Sequence, residues 1–324
     1  MRAWTYERYG EPDVMTFRDV PDPTPRAGEL RVRVHATSLN ASDMEFLRAK
    51  PAYIRLGAPF RPRVSILGSD VAGVVESVGA GVTAFAPGDA VCADLMGHGW
   101  GGLAERVRAP AERWVRKPDD VSFETAACVP QAGVVALQAI ERVGRVRAGQ
   151  RVAINGAGGG SGTFAIQLAK RLGAEVTAID HGDKAALVRS LGADRVFDYT
   201  REDFTRAGPY DLVVDFVAHR SLFDHRRALA RDGRYLVVGG SIPRLLQTVV
   251  VGRALSLFGR QRLSLLLHDQ TPRDVATLLE RCRTGEVVPH VGHRFPLAEA
   301  DDAMRVLTEG RTLGKVVVNV IDAP

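Results

Sequence analysis

Residues 151–180, RVAINGAGGGSGTFAIQLAKRLGAEVTAID, decide how the second half of this chain folds. The stretch opens on a β-branched run, RVAIN (151–155), and closes on another, EVTAI (175–179). Between them the apolar residues recur at a helical period over 161–172. Five of the eight residues from Asn155 to Gly162 are glycine. A strand-to-helix turn tight enough to aim the helix amino terminus at a ligand calls for positive φ angles and no Cβ; the bare N–H groups and the helix dipole then hold an anion. Ala157-x-Gly159-x-x-Gly162 follows the G-x-G-x-x-G pattern with alanine in the first place. An acid, Asp180, ends the next strand, at the spacing where such sites bind a ribose hydroxyl. The stretch reads as a dinucleotide site built from Ala157, Gly158, Gly159, Gly160, Ser161 and Gly162, the alternative being a merely flexible turn.

Outward from this stretch, strands are predicted at RVFDY (195–199), DLVVDFV (211–217) and RYLVVGG (234–240), with helices over 183–191 and 221–231. Strands alternating with helices mean right-handed βαβ units and a Rossmann-type, doubly wound parallel sheet. Gly239 and Gly240 close their strand at the carboxyl end, where such sheets bind ligands, and are predicted to line that cofactor crevice. Before residue 122 the texture differs. Runs such as LRVRVHAT (30–37) and VAGVVESVG (71–79) are broken by turn signals at 21–28, 86–89 and 97–102, which suggests a partly open barrel. Ser122 is a candidate helix cap and Pro130 a candidate interruption. The closing strand KVVVNV (315–320) is predicted to return to the first domain, giving domains of 1–121 with 289–324, and 122–288.

Bulk properties narrow the function. A chain of 324 residues has room for two cores, and 45% hydrophobic with 25% charged residues is a globular composition. No apolar run reaches the roughly 18 residues of a membrane span, and MRAWTYERYG lacks a signal peptide's apolar centre, so the expectation is a cytoplasmic protein without a membrane partner. The net charge of +5 is dispersed, with no basic tract, so no nucleic-acid partner is expected. Cys92, Cys128 and Cys282 form no C-x-x-C pair, which excludes a disulfide scaffold or a cysteine-rich zinc lobe.

Five segments match a known family in order and spacing: RAGQRVAINGAGGGSGTFAIQLAKRLGAEVTA, LVRSLGADRVFDYTREDF, VRVHATSLNASDMEFLRA, ILGSDVAGVVESVGAGVTAFAPGDAV and GRTLGKVVVNV. Over its whole length the chain resembles the medium-chain dehydrogenase/reductase superfamily, and within it the zinc-free quinone oxidoreductase (zeta-crystallin-like) branch. The resemblance implies a GroES-like partly open β-barrel beside the Rossmann domain. It also sets Asn40, Ser69 and Gln131 where zinc alcohol dehydrogenases carry Cys, His and Cys. Neutral oxygens are poor partners for zinc, so no metal and no metal-assisted alcohol oxidation are expected. His98, His290 and His293 read as ordinary loop or surface residues.

The chemistry implied is hydride transfer from NAD(P)H to a quinone or an α,β-unsaturated carbonyl compound (enone), whose delocalised product anion needs only hydrogen-bond donors. The resemblance implies that Asn40 lies beside nicotinamide and substrate, with Asp43 fixing local hydrogen bonds; a plain Asx turn is the alternative. Tyr53 is a candidate proton donor, against a packing role or a proton from solvent. Two departures stand out: Val135 replaces the usual threonine near the carboxamide, and DFVAHR (215–220) lacks the usual glycine. For the coenzyme, Asp180 and Asp183 favour NADH (NAD), whereas Lys184 and Tyr199 fall where the branch holds the 2′-phosphate. NADPH (NADP) is placed first and NADH second. A homodimer through a sheet edge is implied, and the apolar stretch RLLQTVVVGRALSLFG (244–259) is a candidate contact, lid or buried core helix. The rival functions are a zinc-type alcohol dehydrogenase and a non-catalytic nucleotide-sensing or RNA-binding protein on the same fold.

Overall fold

Alternating patterns in the first third of the chain become β1 (Arg2–Thr5), β2 (Thr16–Asp19), β3 (Glu29–Leu39), β4 (Asp70–Val78), β5 (Ala90–Asp94), β6 (Arg106–Pro110) and β7 (Val115–Arg116) in a computed structural model that describes residues 1–56 and 58–321. Next come β8 (Arg151–Asn155), β9 (Glu175–Asp180), β10 (Arg195–Asp198), β11 (Tyr210–Asp215), β12 (Leu229–Val237) and β13 (Arg262–Leu265), then β14 (Val291–Pro296) and β15 (Lys315–Asn319). The chain divides into two units, Met1–Val134 with Gln270–Pro324, and Val135–Asp269.

In the first unit the sheet runs β14-β15-β3-β4-β5-β7, with β6 also paired to β3. No pairing joins β14 to β7 among the described residues, so the barrel is open there. The eleven-residue β3 is its spine: Leu30, Val32 and Val34 point inward against Val71, Val75, Val91 and Val107. β15 lies antiparallel to β3 in the register Val316↔Leu39, so the final strand does return to this unit.

The second unit is a six-stranded, all-parallel sheet in the order β10-β9-β8-β11-β12-β13, the Rossmann arrangement, with the strand order reversing between β8 and β11. The helix Gly160–Arg171 buries Phe164, Ala165, Ile166, Leu168 and Ala169, the apolar face that its periodicity predicted.

Several elements differ from the sequence reading. The predicted changes of domain at 121/122 and 288/289 fall elsewhere than the unit boundaries, because Phe123–Cys128 and Pro272–Arg283 belong to the first unit. Ser122 does cap, its Oγ accepting from Thr125 N–H at 3.1 Å. Pro130 interrupts nothing: the helical run Phe123–Val143 continues past it through a widened π turn, Val129–Gly133, which accommodates the missing donor. By length and composition that run could cross a membrane, which the sequence scan did not register, but 83% of its apolar window is buried inside the protein. The helix predicted over 221–231 stops at Ala228, where β12 begins. The stretch 244–259 is no buried core helix, since Leu246, Val250, Leu257 and Phe258 are exposed.

Candidate functional site

The glycine loop follows β8 directly. Only Gly156, at φ +83°, occupies the left-handed region there, so the expectation of positive φ along the motif holds for a residue outside it. The motif glycines serve space instead. A Cβ on Gly158 would sit 2.7 Å from Lys184 Cδ, and one on Gly162 would overlap the Gly156 carbonyl and come within 2.6 Å of Ala157. A Cβ on Gly159 would meet only Gly156 O, at an ordinary 3.4 Å. Gly239 is freer still, with nothing within 4 Å. Ala157 is fully buried, its N–H donating to Ile179 O at 3.2 Å, while Gly160 and Ser161 open the helix Gly160–Arg171.

Asp180, Lys184 and Tyr199 come together at the carboxyl ends of β9 and β10. Asp180 accepts from Gly158 N–H and from His181 N–H, both at 2.8 Å, and lies 3.3 Å from Lys184 Nζ. Its lone pairs, expected to await a ribose hydroxyl, are engaged by the protein because the glycine loop folds back onto it. The Lys184 side chain is largely buried against that loop. Tyr199, half exposed, donates its N–H to Asp180 O at 3.2 Å. Asp183 faces solvent, paired with His181.

At the reversal of strand order a single carboxylate ties the ends of β8 and β11. Asp215 Oδ1 accepts from Asn155 Nδ2 at 2.8 Å and from the N–H groups of Val217 and Ala218 at 3.0 and 2.8 Å. Its Oδ2 accepts from Tyr235 Oη at 3.0 Å, and His225 Nε2 also lies 3.0 Å from it. Burial pushes this carboxyl up, but His225 and the two backbone donors outweigh it and hold it at about 2. Ala218 stands where the resemblance implies a glycine, and it takes the left-handed conformation that favours glycine, at φ +52°. Gly240, at φ +125°, leaves the room that the Ala218 methyl fills.

In the first unit a buried polar cluster surrounds Asn40 where β3 ends. Asp43, in the first turn of the helix Ala41–Arg48, accepts from Asn40 N–H and from Gly68 N–H, both at 2.8 Å. Burial pushes the Asp43 carboxyl up to about 6 despite those two donors and Lys315. Asn40 Nδ2 donates to Ser69 Oγ at 3.3 Å, and Gln131 accepts from Ser42 Oγ at 2.9 Å. Lys315, which the sequence reading passed over, donates to Asn40 Oδ1 at 2.6 Å. Tyr53 is not part of this cluster: it sits more than half exposed on the short helix Ala52–Arg55, with no hydrogen bond to Asn40 or Asp43. Burial and the carboxylate of Glu45 push its phenol up.

Asn40, Ser69 and Gln131 thus gather as the zinc-ligand comparison implied, but the set does not suit the ion. Their atoms are neutral, and the Lys315 ammonium at Asn40 Oδ1 would repel a cation. Among the described residues no three His, Cys, Asp or Glu side chains are placed to hold a metal.

Residues 26–119 match the family described as alcohol dehydrogenase GroES-like domain, and 191–318 the one described as zinc-binding dehydrogenase. A chloroplast envelope quinone oxidoreductase homologue of Arabidopsis thaliana is 33% identical over 98% of both chains. The 2-methylene-furan-3-one reductase of Solanum lycopersicum is 29% identical over 99% of this chain and 79% of its own. A mycobacterial protein solved in complex with NADPH superposes with a TM-score of 0.84, at 29% identity, over 98% of this chain and 99% of that one.

Proposed function

The chain belongs to the medium-chain dehydrogenase/reductase superfamily, on its quinone oxidoreductase side, and from that premise we propose that it is a zinc-independent NADPH-dependent reductase of quinones and enones. The observation that carries coenzyme binding is Gly159, a glycine that neither a backbone angle nor a neighbouring atom of the protein demands. A missing Cβ that the fold does not need is accounted for by a ligand lying against that backbone. Gly239 has the same character.

On this reading Ala157 to Gly162 hold the diphosphate on bare N–H groups at the start of Gly160–Arg171. Lys184 and Tyr199 take the 2′-phosphate. Asp180 does not repel it strongly, because two N–H donors and the Lys184 ammonium already balance its charge, and Asp183 is turned to solvent. NADPH therefore comes first and NADH second, and a mycobacterial relative was solved in complex with NADPH. The nicotinamide supplies hydride when bound.

The chain's own contribution is to stabilise charge on the acceptor. Asn40 Nδ2, whose bonds to Ser69 Oγ and Ser38 O are long at 3.3 and 3.5 Å, is an under-committed donor for the oxygen of a conjugated carbonyl. Asp43 fixes the backbone from which Asn40 projects. The proton comes from solvent or from Tyr53, whose exposure gives water access. The names of the two relatives, a quinone oxidoreductase homologue and a reductase of an exocyclic enone, fit such acceptors.

A homodimer and a cytoplasmic location belong to the same proposal. β13 is an edge strand, and the exposed Leu246, Val250, Leu257 and Phe258 precede it in the same unit.

The test is oxidation of NADPH by chelator-treated protein against a panel of benzoquinones, naphthoquinones and linear enones. Turnover without added metal is expected. Binding without oxidation would leave a nucleotide sensor, and activity restored only by zinc would overturn the metal-free chemistry.

A further inference from the structure

Lys315 is buried almost completely, at 1% exposure, in a first unit that otherwise keeps nearly all its cations at the surface. The register Val316↔Leu39 of β15 on β3 sets it opposite Asn40, one step past the last paired residues. Its Nζ donates to Asn40 Oδ1 at 2.6 Å and to Leu39 O at 3.2 Å, and stands 3.7 Å from Asp70 Oδ2. Asp70 is fully buried, and its other oxygen, Oδ1, has no hydrogen-bond partner. A buried pair of this kind is a poor source of stability, because desolvation offsets its attraction. Its placement against one end of an amide suggests another use.

An ammonium group only donates, so the amide atom facing it is oxygen, and the Asn40 NH₂ is turned the other way. Without Lys315 the orientation of the amide rests on the long bonds from Nδ2 to Ser69 Oγ and Ser38 O alone, and a flipped amide would present a lone pair to an acceptor's oxygen. A charge-assisted bond to Oδ1 also polarises the amide and makes its N–H groups stronger donors. We propose that Lys315 is a positioning residue that locks and polarises the Asn40 amide, so that Nδ2 is held as the donor to the quinone or enone oxygen. This rests on the reductase reading above and adds to it the residue that sets the donor's direction.

The experiment compares Lys315→Met with the double variant K315M/D70N. The second removes both buried charges together and so avoids stranding a carboxylate if the first fails to fold. In whichever variant melts near the wild type, kcat for quinone reduction is expected to fall about tenfold or more, by analogy with loss of an oxyanion donor. The Kd for NADPH, set by residues of the other unit, is expected to stay the same. Asn40→Ala is then added, and because Lys315 acts through Asn40, kcat should drop no further than in N40A alone. Independent, multiplicative losses or a wild-type kcat in a folded variant would overturn the assignment. A wild-type protein that reduces no quinone or enone would instead overturn the function and leave the K315M comparison without a subject.

Discussion

Gly159→Ala separates a glycine kept for a ligand from one kept for the fold. The added methyl meets only Gly156 O at 3.4 Å, an ordinary contact, and the backbone at φ −83° suits any residue. As the residue preceding Gly160–Arg171, alanine is a worse helix cap than glycine by up to about 1 kcal/mol, while the stiffer unfolded chain returns about 0.4–1 kcal/mol. The two nearly cancel, so Tm is expected to move by no more than about 2 °C. A methyl pressed into a diphosphate is overpacking, worth about 1–3 kcal/mol. That corresponds to a loss of about 5- to 150-fold in coenzyme affinity. Calorimetric titration with NADPH and a melting curve on the same sample provide both readings. Gly162→Ala is the contrast, since its methyl would overlap the Gly156 carbonyl and should lower Tm and affinity together. If G159A bound NADPH as tightly as the parent, the diphosphate would not lie on this loop and the reasoning would fail.

Lys184→Ala should weaken NADPH about tenfold or more while changing NADH by less than about threefold, as removal of one phosphate-facing cation predicts; equal losses would place Lys184 in the loop's support alone. Tyr53→Phe should leave kcat within about threefold if solvent supplies the proton, and a drop of two orders of magnitude would make the phenol the acid. Asp215 is held at about 2 against an ordinary 3.8, so its contribution of about 2 kcal/mol is fully present above pH 4 and lost as pH falls through 2. Urea melts between pH 5 and 2.5 should show that slope in the wild type and less of it in Asp215→Asn; parallel curves would refute it. Phe258→Asp, at a residue 94% exposed, should turn the proposed dimer into a folded monomer in light scattering; an unchanged mass would remove this face from the contact.

What was legible in the sequence was whatever depends on neighbours along the chain. RVAIN, the glycines and the helix after them follow from a period of two, a turn and a period of 3.6, and the structure keeps them nearly to the residue. Pro130 misled because a π turn absorbs its missing N–H without ending the helix, which no local signal shows. Lys315 was invisible for a different reason. It lies 275 residues from Asn40, and only the antiparallel register of the last strand brings them together. Asp180 was read as an open acceptor because its partners, the Gly158 N–H and the Lys184 ammonium, arrive through the curl of the loop. Gly156, one residue ahead of the motif, carries the left-handed angle that the pattern had assigned within it.

The carboxylate of Asp215 grips two amides, Val217 and Ala218, that belong to no strand or helix. Loop amides ordinarily trade their hydrogens for deuterium within seconds to minutes, since local fraying is enough to expose them. These two should be retained on the timescale of the sheet's interior, because releasing them means undoing the acid's links to Asn155 and Tyr235 as well. The crossing point of the sheet is then expected to be among the last parts of this unit to breathe, so that under the proposed function a coenzyme would meet a surface already set.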